Sequence, residues 1–153
     1  MVAYGFMLSQ TAEYALRAMV ALATGKQTAR TALDLAKESK VPFDYLAKVL
    51  NLLSRAGLVS GQRGRGGGFQ SVLPAGKLTV LQVVNAVDPL KRIRTCPLGL
   101  KAHGTNLCPL HRKLDDALLS VEQAFASTTI ESLAGQSFAE PAVCEGDTCH
   151  AMA

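Results

Sequence analysis

The chain has 153 residues, 48% of them hydrophobic and 18% charged, a composition that excludes a disordered polymer and fits one compact domain or one domain with an appended helix. Its net charge of +4 is unevenly spread: residues 1–77 hold ten Lys and Arg against four Asp and Glu, and residues 78–153 hold six against eight. A basic first half suits a polyanion such as DNA.

At the N-terminus, MVAYGFMLSQ has no basic stretch leading into an apolar one, so a secretory signal is not expected. No apolar run in the sequence reaches the length of a membrane span. The expected compartment is the cytoplasm, where cysteines are thiols or metal ligands rather than structural disulfides. Residues 9–24 read as a helix, with Ala12, Ala15, Leu16, Met19, Val20 and Ala23 at helical spacing and Gly25 as the stop. Thr31, with Asp34 three residues on, starts a second helix that ends near Ser39. Pro42 suits the first turn of a third, whose apolar face is Leu46, Val49, Leu50 and Leu53 and whose stop is Gly57. Two short helices in tight succession, the second with polar residues to spare, make a helix-turn-helix pattern.

Leu58-Val59 and Phe69 to Leu73 read as two short strands around the loop GQRGRGGG, a hairpin placed where a wing would follow a helix-turn-helix. Within QRGRGGGF, Arg63 and Arg65 sit among four glycines, which let backbone approach a surface closely while arginine pairs with phosphates or enters a narrow minor groove. A nucleotide-binding loop would need a following helix and Gly-Lys-Ser/Thr, and neither is present. The candidate DNA contacts are therefore Phe43, Asp44, Tyr45 and Lys48 on the third helix, and Arg63, Arg65, Gly66 and Gly67 on the wing. For Phe43 and Tyr45 a place in the core stays open as the alternative.

Thr79 and Gln82 open a fourth helix, stapled by Leu78 and Val83 and closed by Pro89. Residues 90–108 read as a long loop, and residues 109–127 as the longest helix, with Leu110, Leu114, Ala117, Val121 and Ala124 stepping by four and three. So regular a stripe predicts packing on a second subunit. Thr128 and Glu131 are expected to cap a short final helix ending at Gly135, and residues 136–153 to form a flexible tail carrying Cys144 and Cys149. The fold class is mainly α with a small β-hairpin wing: a winged helix-turn-helix at 7–77, a linker helix, cysteine loop and dimerisation helix at 78–135, and the tail. No catalytic constellation of serine, histidine and acid or of paired carboxylates stands out, so an enzyme is not expected.

Within CPLGLKAHGTNLCPLH, Cys96 and Cys108 lie close in sequence to His103 and His111, with Lys91, Arg92, Arg94 and Lys101 nearby. Positive neighbours favour thiolates, which bind soft metals or react with oxidants. The spacing is neither a zinc knuckle nor a ferredoxin motif. A cluster, thiol-only sensing and zinc remain open at this point.

Taken together, MLSQTAEYALRAM, LAKESKVPFDYLAKVLNLLSRAGLV, the wing RGRGGGF and LTVLQVVNAVD resemble the Rrf2 family of bacterial winged-helix regulators, the group of IscR, NsrR, RirA and CymR. The likeness runs over roughly residues 7–135. It implies a homodimer with crossing long helices, and binding to double-stranded DNA at an imperfect palindrome, most often as a repressor. Many members hold an iron–sulfur cluster on three cysteines; Cys96 and Cys108 match the outer two, and Ala102 replaces the middle one. His111 matches a position where IscR supplies a histidine ligand, His103 adjoins the vacant position, and Glu13 matches an acidic ligand sometimes lent by the partner. A 2Fe–2S cluster on Cys96, Cys108, His111 and Glu13 is the implied cofactor, responsive to redox state, nitric oxide or iron supply. CymR-like sensing by thiols or a protein partner without a cluster is the alternative, as is a redox-dependent interaction module lacking DNA binding.

Overall fold

A computed structural model describes residues 8–24, 28–64, 66–98 and 106–135. In chain order its elements are α1 (Gln10–Thr24), α2 (Ala32–Ser39), α3 (Phe43–Arg55), strands β1 (Val59–Gln62) and β2 (Gly68–Ser71), a 3-10 turn (Ala75–Lys77), α4 (Val80–Val87), α5 (Pro109–Ser127) and α6 (Ile130–Gly135). The mainly helical class with a small hairpin is as expected.

The central element is α1, packed by α2, α3, α4, α6 and β2. Its buried side is mostly alanine, Ala12, Ala15, Ala18 and Ala21, with Met19 and Leu22. Small side chains let neighbouring helices approach on several sides, and the larger Leu35, Leu46, Leu50, Leu53, Leu78 and Ile130 fill the space around it. The Thr31 hydroxyl caps α2 by accepting from the Asp34 N–H at 3.2 Å, and Lys40, in the left-handed region at φ 53°, turns the chain into α3. Pro42 is the residue just before α3. The helix ends on Gly57 at φ +74°, where the Gly57 N–H donates to Ser54 and the Leu58 N–H to Leu53, a Schellman arrangement.

The hairpin pairs Val59 with Ser71 and Gln62 with Gly68, so β1 runs further into the glycine loop than Leu58-Val59 alone predicts. Its base holds a contact that alternation of apolar residues does not announce. Arg30 exchanges two backbone hydrogen bonds with Phe69, at 2.9 and 2.7 Å, as a one-residue third strand. The Arg30 guanidinium also donates to the Ala21 carbonyl at 3.0 Å and pairs with Glu38, tying the wing base to α1 and α2.

Thr79 and Gln82 form the predicted capping box of α4. The chain later returns to this corner: the Val80 N–H donates to Thr128 at 2.9 Å, and the Ile130 N–H to Leu78 at 2.8 Å. Fully buried Ile130 thus closes the core from the C-terminal side, and α6 lies on α1. The cap of α6 is Thr129, whose hydroxyl accepts from the Ser132 N–H, rather than Thr128. Thr128 is engaged with α5, its hydroxyl donating to the Ala124 carbonyl at 2.8 Å. None of the residues of α5 is buried, and Leu110 and Leu114 are 59% and 46% exposed. Among the described residues no helix is long and apolar enough to cross a membrane.

Candidate nucleic-acid interface and metal centre

The buried stripe of α3 turns its other side outward. Phe43 is 51% exposed, and Asp44 and Lys48 are exposed as well. Asn51 and Arg55 continue the Asp44–Lys48 face at steps of three and four and are also exposed. The candidate DNA contacts Asp44 and Lys48 form the first half of that polar stripe, and the same spacing marks Asn51 and Arg55 as its continuation. Tyr45 is placed differently. It is half-buried, its hydroxyl lies 2.7 Å from the Thr11 hydroxyl, and its ring meets Tyr14 edge-on with centroids 5.1 Å apart. Tyr45 therefore wedges α3 against α1, and Lys48 places its ammonium 5.9 Å from the Tyr45 ring centroid. On the wing, Arg63 and Gly66 are exposed and Gly67 is partly so. Gly64 and Gly66 take φ of 106° and 79°, and the Gly67 N–H closes the turn onto Gly64 at 2.9 Å. Arg65 lies outside the described residues.

The second constellation forms where the loop after α4 meets the start of α5. Cys108 is the residue before α5, with Pro109 in its first turn, and His111 follows within that turn. Imidazole Nδ1 of His111 lies 3.1 Å from Cys108 Sγ and 3.6 Å from Cys96 Sγ. The three donor atoms all lie within 4.8 Å of one another. Cys108 is buried and Cys96 half-buried. The backbone N–H of His111, then its ring, then Cys96 and the Leu110 N–H donate toward the Cys108 sulfur, and its pKa falls to about 7. Two thiols and an imidazole gathered in this way are compatible with iron–sulfur binding.

Cys96 reaches this point because its loop is fastened. Asp115, one helical turn beyond His111, accepts from Arg92 Nε at 2.7 Å, from Arg92 Nη2 at 2.6 Å and from the Ile93 N–H at 2.9 Å. Glu122 adds a longer contact to Arg92 at 3.6 Å. The Arg92 hydrogen bonds hold the Asp115 carboxyl below its ordinary pKa. This clamp was missed in the sequence, where Arg92 read only as a positive neighbour of the thiols. The partners are 23 residues apart and no local periodicity links them.

Glu13 sits on α1, paired with Arg17 and not part of the group of three. His103, Cys144 and Cys149 lie outside the described residues.

Comparison with known proteins agrees with this architecture. The model of the Rrf2 family, described as iron-dependent transcriptional regulators, matches residues 8–136. An HTH-type transcriptional regulator of Mycobacterium tuberculosis is 35% identical over 87% of this chain and 84% of its own length. IscR of Xenorhabdus nematophila is 28% identical over 82% of this chain and 77% of its own. Among solved structures, CymR of B. subtilis superposes with a TM-score of 0.69 at 21% identity, over 84% of this chain and 96% of that one. IscR of T. potens also superposes with a TM-score of 0.69, at 19% identity over 86% of this chain and 88% of that one. With the family model spanning the winged helix and the Cys–His centre alike, the chain belongs to the Rrf2 family of transcriptional regulators and is a DNA-binding regulator, not an enzyme.

Proposed function

We propose that this chain acts in the cytoplasm as a homodimeric, sequence-specific regulator, a repressor at an imperfect palindrome, whose DNA affinity follows the state of Cys96, Cys108 and His111. The observation that carries this reading is the position of those three side chains. They meet at the first turn of α5, whose Leu110 and Leu114 are exposed among the described residues. A change at the centre is thereby joined to the helix best suited to hold a second copy. Residues 7–77 supply DNA contacts through Phe43, Asp44, Lys48, Arg63, Arg65, Gly66 and Gly67. Tyr45 contributes by setting the angle between α3 and α1. Residues 78–135 carry sensing and dimerisation, although α6 completes a core shared with the DNA-binding part.

The cofactor in this reading is a 2Fe–2S cluster, which supplies reversible one-electron chemistry and sensitivity to nitric oxide and iron supply. Cys96, Cys108 and His111 hold it, with Glu13 of a second copy or His103 completing the set. The lowered pKa of Cys108 favours a second reading, in which the thiols themselves are oxidised and no cluster is needed.

The test is an electrophoretic shift on palindromic promoter fragments with the protein reduced, oxidised and iron-loaded. Sequence-preferring binding that weakens with salt and changes with the state of the centre is expected. Arg63→Ala and Arg65→Ala should each weaken binding and lower the salt dependence by about one counterion. Binding that ignores sequence, or is identical in all states, would remove respectively the DNA reading and the sensor reading.

A further inference from the structure

The geometry of the Cys–His centre points to an occupant simpler than a cluster. Around one tetrahedral ion, with bonds of about 2.3 Å to sulfur and 2.0 Å to nitrogen, a thiolate and an imidazole donor stand about 3.5 Å apart. His111 Nδ1 is 3.6 Å from Cys96 Sγ and 3.1 Å from Cys108 Sγ. All three donors fall inside a 4.8 Å span, the size of a single coordination sphere. Ligands to the two irons of a binuclear cluster stand further apart than ligands to one metal, so a 2Fe–2S core would require these donors to spread from the positions they hold here, whereas a single ion would not. The convergence needs no second chain.

We propose that Cys96, Cys108 and His111 of one chain bind a single divalent transition-metal ion, zinc or iron(II), without sulfide, leaving the fourth corner to water or an exogenous ligand. Asp115 acts as the positioning residue. It touches no donor atom, yet it holds Arg92 and the Ile93 backbone against α5 and so delivers Cys96, three residues later, to the other two donors. Asp115 is itself only 17% exposed, and its accepting oxygens are engaged from two directions. Two thiolates and an imidazole select zinc or iron(II) over magnesium or calcium. Each thiol that ligates gives up its proton to solvent, so uptake is accompanied by proton release. This inference rests on the reading of the centre as a sensor and names a one-ion state of it.

The experiment is an anaerobic titration of the reduced, metal-free full chain with cobalt(II), read by visible absorption. One cobalt per chain is expected, with the intense ligand-field bands of a tetrahedral ion and charge transfer from thiolate, both abolished by zinc. Cys96→Ala and His111→Ala should each lose the spectrum. Asp115→Asn and Arg92→Gln keep every donor and should weaken cobalt affinity by about tenfold or more, the usual effect of losing an outer partner of a metal site. The two clamp variants are read together, with circular dichroism on each, so that a failure of one to fold leaves the other informative.

A weak octahedral spectrum, or two cobalts per chain, would overturn the one-ion site. So would a chain that ignores cobalt yet builds a coloured cluster from iron and sulfide, and that outcome leaves the sensor reading intact. Unchanged affinity in both clamp variants would remove Asp115 from the proposal. DNA binding indifferent to metal and to thiol oxidation, in a chain that takes cobalt normally, would instead overturn the sensor reading and spare the site.

Discussion

At the scale of single residues, Gly68 is tightly constrained. A Cβ there would stand 2.4 Å from the Arg30 carbonyl oxygen, closer than real contacts allow, and backbone rather than a flexible side chain is what it meets. Gly68→Ala should therefore destabilise the protein by about 1–3 kcal/mol, read as a lower urea midpoint, by breaking the Arg30–Phe69 bridge at the wing base. Gly68 was legible as a wing glycine, but its partner was not, because Arg30 precedes a helix and carries no strand pattern. Cys108 offers a second prediction. Its thiol titrates near pH 7, so in the metal-free protein its thiolate is half-formed there and complete above it. An ordinary thiol is half-formed only near about pH 8.5. The thiolate absorbance of the wild type minus that of Cys108→Ala should rise with a midpoint near 7; a midpoint above 8 would show that His111 and the helix start do not support the anion.

At the scale of elements, the helices were legible because each has both a period and a punctuation mark. Thr31, Thr79 with Gln82, and Gly57 sit at boundaries where side-chain oxygen or positive φ satisfies orphan backbone groups, and all three do so in the structure. Thr128 failed as a cap for α6 for a reason that spacing cannot reveal. Two adjacent threonines compete there, and the hydroxyl of the first is already committed to the end of α5. The stripe of α5 was equally plain, and among the described residues none of α5 is buried, with Leu110 and Leu114 exposed. Leu114→Asp should leave the monomer folded and shift the protein to a monomer in size-exclusion chromatography with light scattering. It should also cost most of the affinity for a palindrome, since two half-sites then bind independently. A dimer of unchanged mass would show that subunits meet elsewhere.

At the scale of the whole molecule, the candidate site was legible in its ligand types and not in its support. Cys96, Cys108 and His111 could be picked out by chemistry, whereas the clamp that brings them together joins Arg92 to Asp115 across the loop. A titration tests whether that clamp matters to the fold. Arg92 lowers the Asp115 pKa in the folded state, so the ion pair stabilises the fold above the ordinary carboxylate range, about pH 4, and loses that contribution as pH falls through the lowered value. The urea midpoints of wild type and Asp115→Asn should differ at neutral pH and converge in acid. A gap that stays constant into acid would mean that packing, not charge, separates the two.

The return of the chain to the α4 corner has a consequence for how this protein can be dismantled. Ile130 is fully enclosed beside Leu78, and Thr129 pairs with Thr79, so α6 seals the same interior that supports α3. Cutting after the wing does not release an independent reading head; it opens a hole under α1. Such a chain is not expected to work as a detachable DNA-binding cassette. The helix-turn-helix and the segment that carries the Cys–His centre are joined through that shared interior, and a protease that nicks the stretch between α5 and α6 is expected to loosen both at once.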